Sequence, residues 1–288
     1  MVPAVLRQNG VAMRANRAVR VVFGLLALIL FGVYTYFRVS TTPFSNEVGV
    51  QASEPEAGVT ETAMPETEPS PEPAPEATPE PTLDPNSPAG RANSLGLPAP
   101  PDIDINSWEY MLVNADHSIE QYEPPEMVEI EGKLFDSRVA DALNAFVADT
   151  RAQGLSVYLS SSYRSYSDQA ANFQRIINNG YANGKTSDGF YVTMPPGCSE
   201  HQTGLTCDIT DVYYELKNSS IENTETYKYM SAHCQDFGFI VRFPESKKDI
   251  TGVMYEPWHF RYVGVEAATY IMENNLCLEE FVALYTGE

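Results

Sequence analysis

Two short stretches of the chain hold side chains that could bind and use a metal ion. The stretch SEHQTGLTCDIT places His201 and Asp208 seven residues apart, with a glycine between them. The stretch YEPWHFRY contains Glu256 and His259. Two histidines and one carboxylate form the ligand set of many catalytic zinc sites, in which water takes the fourth position. The pattern therefore suggests hydrolysis at a zinc site, with the remaining carboxylate as the base that takes a proton from water.

The neighbours of these side chains support that interpretation. Asp208 lies in an apolar segment, where a carboxylate costs free energy unless it is paired or binds a metal. In a regular strand Glu256 and His259 would face opposite sides. Because Pro257 restricts the residue before it to extended conformations, we expect the chain to bend there, so that both side chains can reach one ion.

Each residue also has an ordinary structural interpretation. His259 lies between two aromatic residues, and a single histidine in such a place is more often packed in a core. Asp208 could cap a turn or form an ion pair, and Glu256 could pair with Arg261. The presence of both clusters in one domain favours the metal site over these separate explanations.

A third stretch, SSSYRSYSDQ, adds a cationic side chain. Arg164 lies at the end of a predicted strand, and it could be an ordinary surface arginine. It could instead reach back over the site, because a guanidinium presents a forked set of donors that suits carboxylates and developing oxyanions.

Helices and short strands alternate along residues 106–288, and they must position these side chains. Apolar residues at helical spacing predict helices at residues 136–154, 168–180, 224–238, 265–275 and 278–285. Short apolar runs predict strands at residues 155–164, 205–214, 239–243 and 255–264. Several strands are joined by loops rather than helices, which favours an α+β fold with a mainly antiparallel central sheet flanked by helices.

Acidic and proline residues are concentrated ahead of that domain, in residues 38–105. The whole chain has 288 residues and a net charge of -21. The composition of residues 38–105 cannot bury enough apolar surface to fold, so the sequence predicts a disordered and extended spacer. No basic stripe occurs in the chain, which argues against nucleic acid as a partner.

An apolar run at residues 21–37 follows a basic N-terminus at residues 1–20. Its length is close to the roughly 20 residues that cross a hydrocarbon core. The arginines before it favour the cytoplasm for the N-terminus. We therefore expect a single-pass anchor in the cell membrane, with the catalytic domain outside. A cleaved signal peptide is the alternative.

Four cysteines lie in the C-terminal half of the chain, which permits disulfides in an exported domain. Four cysteines allow three complete pairings, and the sequence does not choose among them. The four are Cys198, Cys207, Cys234 and Cys277. Cys207 also fits a buried apolar position in a strand.

The sequence resembles a known family at these motifs. SEHQTGLTCD fits the Ser-x-His-x-x-Gly-x-x-x-Asp pattern, and EPWH the Glu-x-x-His pattern, of the VanY-type D-alanyl-D-alanine carboxypeptidases. These are zinc peptidases that share a fold with the hedgehog signalling domain. The stretches LVNADHSI, YRSYSDQ, GFIVRFP and ITGVMYEPWHFRYVG are also similar to that family. The likeness covers about residues 108–285, and Thr206 and Cys207 replace the small and apolar residues that usually precede the aspartate.

The resemblance implies a role for each candidate residue. Three would bind one zinc ion: His201, Asp208 and His259. Glu256 would be the general base, and Arg164 would steady the oxyanion or the substrate. Gln169 and Ser199 fall where the family grips the terminal carboxylate of its substrate.

The resemblance also implies an activity and a place for it. The domain would remove the C-terminal D-alanine from peptidoglycan stem peptides, on the cell-wall side of the membrane. Separately from the resemblance, we expect a monomer. An L,D-carboxypeptidase acting on tetrapeptide stems is an alternative, because the same catalytic residues serve both reactions. A non-catalytic cell-wall-binding module that has kept the fold is the more distant alternative.

Overall fold

The structure is a computed structural model, which describes residues 83–287. The predicted anchor at residues 21–37 and most of the predicted spacer lie outside these residues. Within residues 83–287, no helix is both long enough and apolar enough to cross a membrane.

The described residues form short strands and helices in alternation. The strands are β1 (Met127–Ile130), β2 (Lys133–Asp136), β3 (Tyr158–Ser161), β4 (Thr206–Thr210), β5 (Phe239–Val241) and β6 (His259–Tyr262). The α-helices are α1 (Pro88–Ser94), α2 (Ala140–Ala152), α3 (Tyr166–Asn178), α4 (Glu225–His233), α5 (Lys248–Thr251), α6 (Val265–Glu273) and α7 (Leu278–Thr286). A 3-10 turn at Glu200–Thr203 precedes β4.

The central sheet has four strands in the order β3-β4-β6-β5, and every neighbouring pair is antiparallel. A separate hairpin joins β1 to β2. Its two turn residues, Glu131 and Gly132, have φ of 51° and 75°, as a two-residue type I′ turn requires. The predicted α+β fold with a mainly antiparallel sheet is therefore confirmed, whereas the sequence analysis did not predict this hairpin.

The two faces of the sheet have different chemistry because side chains alternate along a strand. One face packs against α2 and α4 through apolar residues, which form the first core cluster. Its central members include Phe146, Cys207, Ile209, Phe239 and Phe260. The opposite face carries the polar side chains of β4 and β6, although these are also buried. The candidate residues of both strands belong to that polar face.

A second core cluster contains the first helix and the last two helices of the described residues. It joins α1, α6 and α7 to Ile240 of β5 and to Val263, which follows β6. Because α6 packs against β5, it supports the strand that neighbours the histidine-bearing strand β6.

The folded part begins earlier than the predicted boundary at residue 106. Helix α1 starts after an N-cap, Ser87, whose hydroxyl accepts a hydrogen bond from the backbone N–H of Gly90 at 3.0 Å. Ala92 is fully buried in the second core cluster. Arg91 donates to the carbonyls of Leu284 and Tyr285 at the end of α7, at 2.8 and 3.2 Å. Residues 84–105 therefore belong to the domain, and few apolar residues among many prolines concealed this in the sequence.

The four cysteines are all buried and none is paired with another. Cys207 lies in β4, in the first core cluster. Cys207 is therefore a small buried apolar residue, as the alternative to a disulfide predicted.

Candidate active site

The register of the sheet brings the first two candidate ligands together. Asp208 in β4 pairs directly with His259 in β6. Residues paired in this way across antiparallel strands present their side chains on the same face. The distance from Asp208 Oδ1 to His259 Nδ1 is 3.2 Å, and both side chains are buried. Strand pairing alone therefore places a carboxylate beside an imidazole.

His201 reaches the same place from the turn at Glu200–Thr203. The turn ends at Gly204, whose φ is +71°, a conformation that glycine adopts without strain. A Cβ at this position would come within 2.7 Å of the backbone nitrogen of Asp136. The tight turn folds His201 back over β4, so that its Nε2 lies 3.5 Å from Asp208 Oδ1.

The three side chains form a compact group of possible ligands. His201, Asp208 and His259 each offer one nitrogen or oxygen, and these atoms lie within 4.8 Å of one another. Asp208 Oδ1 and His259 Nδ1 are buried without a hydrogen-bond partner. Two imidazole nitrogens and one carboxylate oxygen suit a zinc ion, and a bound ion would satisfy these atoms. The donor set therefore fits zinc.

Outer contacts fix how two of these groups face the site. His201 Nδ1 lies 2.7 Å from the carbonyl oxygen of Ser162. Because a carbonyl only accepts, Nδ1 carries the proton and leaves Nε2 available as a ligand. The Oδ2 of Asp208 accepts a hydrogen bond from Lys217 Nζ, which leaves Oδ1 directed at the histidines. The sequence analysis did not identify Lys217.

The charges of the site suit metal binding at His201 and Asp208. Burial lowers the pKa of His201 to about 4, so this imidazole is neutral at pH 7. Against the effect of burial, Lys217 and His201 hold the pKa of Asp208 well below its usual range. Burial also disfavours the charged form of His259, but the carboxylates of Asp208 and Glu200 raise its pKa to about 9. A bound cation would displace that proton.

Glu256 approaches the group through the expected bend. The backbone N–H of His259 donates to the carbonyl of Glu256 at 3.1 Å, which closes a turn with Pro257 in its second position. Glu256 Oε2 consequently lies 3.5 Å from His259 Nδ1. Burial raises the pKa of Glu256 to about 7, and the charge of Asp208 adds to this effect. A carboxylate with a pKa near 7 is suited to accept and return a proton.

The candidate ligands lie on a cavity of about 550 Å³. Arg164, Ser199 and Glu256 also line this cavity. Arg164 Nη1 donates to Gln169 Oε1 at 2.6 Å, and Nη2 donates to Ser161 Oγ at 3.1 Å. Gln169 is buried behind Arg164 rather than on the cavity wall. Its position allows it to orient the guanidinium.

A buried ionic network lies behind His259, and the sequence analysis missed most of it. Glu200 Oε1 accepts from Arg242 Nε at 2.7 Å and from Arg261 Nη1 at 2.8 Å. Arg242 also donates twice to Glu279, at 2.8 and 2.7 Å. Arg261 thus pairs with Glu200, and not with Glu256 as the sequence allowed. In the sequence, only the alternation of polar and aromatic residues along β6 indicated that Arg261 faces the same side as His259.

Comparison with known proteins gives a consistent result for the domain. The family model described as VanY: D-alanyl-D-alanine carboxypeptidase matches residues 132–265. A D-alanyl-D-alanine carboxypeptidase of Enterococcus faecalis is 35% identical over an alignment of 186 residues, which covers 62% of this chain and 67% of the relative. The putative carboxypeptidase YodJ of Bacillus subtilis is 35% identical over 59% of this chain and 65% of its own length. The matches thus span about two thirds of these relatives.

Solved structures show the same similarity. VanYB in complex with D-alanine-D-alanine has a TM-score of 0.52 and 34% identity, over 61% of this chain and 98% of that one. The vancomycin resistance D,D-pentapeptidase VanY in complex with Zn(II) matches equally well, over 99% of its chain. The LD-carboxypeptidase LdcB has a TM-score of 0.55 and 31% identity, over 65% of this chain and 94% of its own.

Proposed function

We propose a function from the premise that this chain belongs to the VanY family of D-alanyl-D-alanine carboxypeptidases. The domain is a zinc-dependent carboxypeptidase that removes the C-terminal D-alanine from peptidoglycan stem peptides. One observation carries the proposal: three buried potential ligands, within 4.8 Å of one another, lie beside Glu256 on the same cavity.

Three atoms of the site would hold the metal, namely His201 Nε2, Asp208 Oδ1 and His259 Nδ1. A zinc ion bound there supplies a Lewis acid and lowers the pKa of water to about 7. The protein residues do the remaining work, which is to hold the substrate and move protons.

Glu256 is the general base in this proposal. It accepts a proton from the attacking water and then delivers it to the amine of the leaving D-alanine, a role that typically contributes about 10²–10⁴-fold to the rate. The pKa of about 7 supports this role because the carboxyl can bind and release a proton near neutral pH.

Arg164 stabilises the negative charge that develops on the scissile carbonyl oxygen. Its two hydrogen bonds, to Gln169 and Ser161, hold the guanidinium before the substrate arrives. Ser199 lies on the cavity wall, where it can contact the terminal carboxylate of the peptide. Gln169 serves substrate binding through Arg164, because its own amide is buried behind that side chain.

Mass spectrometry of peptide products tests the activity. Purified chain is incubated with pentapeptide and tetrapeptide stems, with and without prior removal of zinc by a chelator. We expect the pentapeptide to lose one D-alanine, the chelated chain to be inactive, and added zinc to restore activity. If neither the pentapeptide nor the tetrapeptide is shortened, the proposal is refuted and a non-catalytic wall-binding module is supported.

The L,D-carboxypeptidase activity remains the second candidate. The structural likeness to LdcB, with a TM-score of 0.55, favours it. The same experiment separates the two activities, because an L,D-enzyme converts the tetrapeptide to a tripeptide and leaves the pentapeptide intact.

We further infer that a single N-terminal helix anchors the chain in the cell membrane and that the domain acts outside. The apolar run at residues 21–37, after the basic residues 1–20, supports this inference. Protease treatment of intact cells without a wall should degrade the domain, and deletion of residues 1–37 should move the protein out of the membrane fraction. Protection from the protease would contradict this location.

We expect a monomer by light scattering of the purified domain.

A further inference from the structure

His259 has polar groups beside both of its ring nitrogens. When the imidazole is neutral, only one of the two nitrogens carries a proton. Its Nδ1 faces Asp208 Oδ1 at 3.2 Å. Its Nε2 lies 3.2 Å from the hydroxyl oxygen of Thr206 and 3.5 Å from Glu200 Oε2. A neutral imidazole that binds a metal through one nitrogen carries its proton on the other. For His259 to bind zinc through Nδ1, the proton must therefore lie on Nε2.

The carboxylate of Glu200 lies close to this nitrogen, with Oε2 3.5 Å from His259 Nε2. Glu200 is 3% exposed, and its Oε1 is occupied by two guanidinium groups that are fully buried. Oε2 has no hydrogen-bond partner in the described structure and is directed at His259 Nε2. The arginines thus fix one oxygen, and the other presents negative charge to the imidazole.

We propose that Glu200, held by Arg242 and Arg261, is a positioning residue that keeps the proton of His259 on Nε2 and so strengthens metal binding at Nδ1. Thr206 accepts the hydrogen bond from Nε2–H, and the nearby carboxylate favours that proton by its charge. The inference rests on the proposed metal site. Carboxylates behind metal-binding histidines act in this way in general, and their loss typically costs 10–100-fold in metal affinity.

A purely structural ion pair is the competing explanation, because removing one partner of a buried pair destabilises a fold whatever its function. Glu279 provides a matched control for that effect. It also binds Arg242 through two hydrogen bonds, whereas the carboxylate that faces His259 Nε2 is that of Glu200. The variants Glu200→Gln and Glu279→Gln each remove one carboxylate from the same arginine.

Zinc affinity, measured by competition with a chelating dye, tests the proposal on the purified chain. We expect Glu200→Gln to bind zinc about 10–100-fold more weakly and Glu279→Gln to remain within about twofold of the unaltered chain. Glu200→Asp, which keeps the charge, should lie between them. An unchanged affinity in folded Glu200→Gln, or an equal loss in both Gln variants, would overturn the proposal.

Nitrogen-15 NMR of the zinc-loaded, unaltered chain gives an answer even where the variants fail to fold. We expect His259 to show a protonated Nε2 and a metal-bound Nδ1, and the reverse assignment would overturn the inference. If Glu200→Gln has unaltered affinity while zinc-dependent trimming persists, this inference fails and the proposed function stands. If the unaltered chain binds no zinc, both fail.

Discussion

Asp208 and Glu256 both line the cavity and are both largely buried, but their pKa values are shifted in opposite directions. Burial raises the pKa of Glu256 to about 7. In contrast, the ammonium of Lys217 overcomes burial and keeps the pKa of Asp208 well below its usual range. Groups whose environments separate their pKa values in this way can take different roles in one reaction. Asp208 stays charged, as its proposed role as a metal ligand requires, whereas Glu256 can exchange a proton.

Replacing Glu256 with glutamine should separate catalysis from metal binding. The amide keeps the shape of the side chain but cannot act as a base, so we expect kcat to fall by about 10²–10⁴-fold. Zinc content, measured on the same preparation, should stay at the level of the unaltered chain. Full turnover in Glu256→Gln would remove this residue from the mechanism.

Replacing His259 with alanine should abolish both zinc binding and turnover. The substitution removes a proposed ligand, so the loss of zinc affinity should exceed the roughly 10–100-fold typical of an outer contact. His117→Ala is the control, because His117 is exposed and lies outside the cavity. Equal zinc content in the two variants would contradict the ligand assignment.

The ligand candidates could be predicted from the sequence because each pair lies within one short stretch. The ionic network behind His259 could not be predicted in the same way. Arg242 and Arg261 lie 42 and 61 residues from Glu200 along the chain. Only the pairing of β4 with β6 and of β6 with β5 brings them together, and no local pattern specifies that order of strands.

At the level of elements, the site depends on one tight turn between His201 and β4. Gly204 ends the turn with a positive φ and contacts the end of β2, because its carbonyl accepts a hydrogen bond from the N–H of Asp136 at 3.1 Å. The β1–β2 hairpin, which the sequence analysis did not predict, thus supports the turn that carries His201.

Gly204→Ala should destabilise the domain more than the same change at Gly252. Both glycines have a φ of +71°, but a Cβ would meet the backbone of Asp136 at 2.7 Å only at Gly204, and nothing within 4 Å at Gly252. Alanine in this conformation costs about 1–2 kcal/mol at either position, and the clash should add about 1–3 kcal/mol. Urea denaturation of the two variants measures the difference. Equal free energies of unfolding would show that the turn yields without cost.

The helices were easier to predict than the strands, and the physical reason is length. Helix α2 shows its apolar spacing over 13 residues, whereas β5 has three residues and β6 has four. So few residues carry little periodicity, and the strand boundaries depend on pairing with distant partners. Helix α1 has only seven residues in a proline-rich segment, which explains why it was assigned to the spacer.

For the molecule as a whole, residues 83–105 complete the second core cluster. Besides Ala92, three partly buried side chains of this segment pack there, namely Leu97, Ile103 and Ile105. The hydrogen bonds of Arg91 to the end of α7 also connect the segment to the C-terminus of the domain. The segment therefore contributes to the stability of the domain.

A chain shortened to residues 106–288 should be less stable than one that spans residues 83–288. Exposing this part of the cluster should cost about 3 kcal/mol, which corresponds to a Tm lower by about 6–12 °C for a domain of this size. Calorimetry of both chains, with the full chain as reference, checks the expectation. Identical Tm values would show that the segment only covers the surface.

Because the four cysteines are buried, alkylation of each one reports local opening of the structure around it. Cys207 and Cys234 belong to the first core cluster, and Cys198 packs with Phe243 beside the cavity. Burial raises the pKa of Cys234 to about 12 and that of Cys277 to about 12, so their thiolates are scarce while the fold is closed. Because only the thiolate reacts with alkylating reagents, each sulfur is modified when its surroundings open. The order in which the four are alkylated would rank the regions of the domain by how readily they unfold, without any engineered probe.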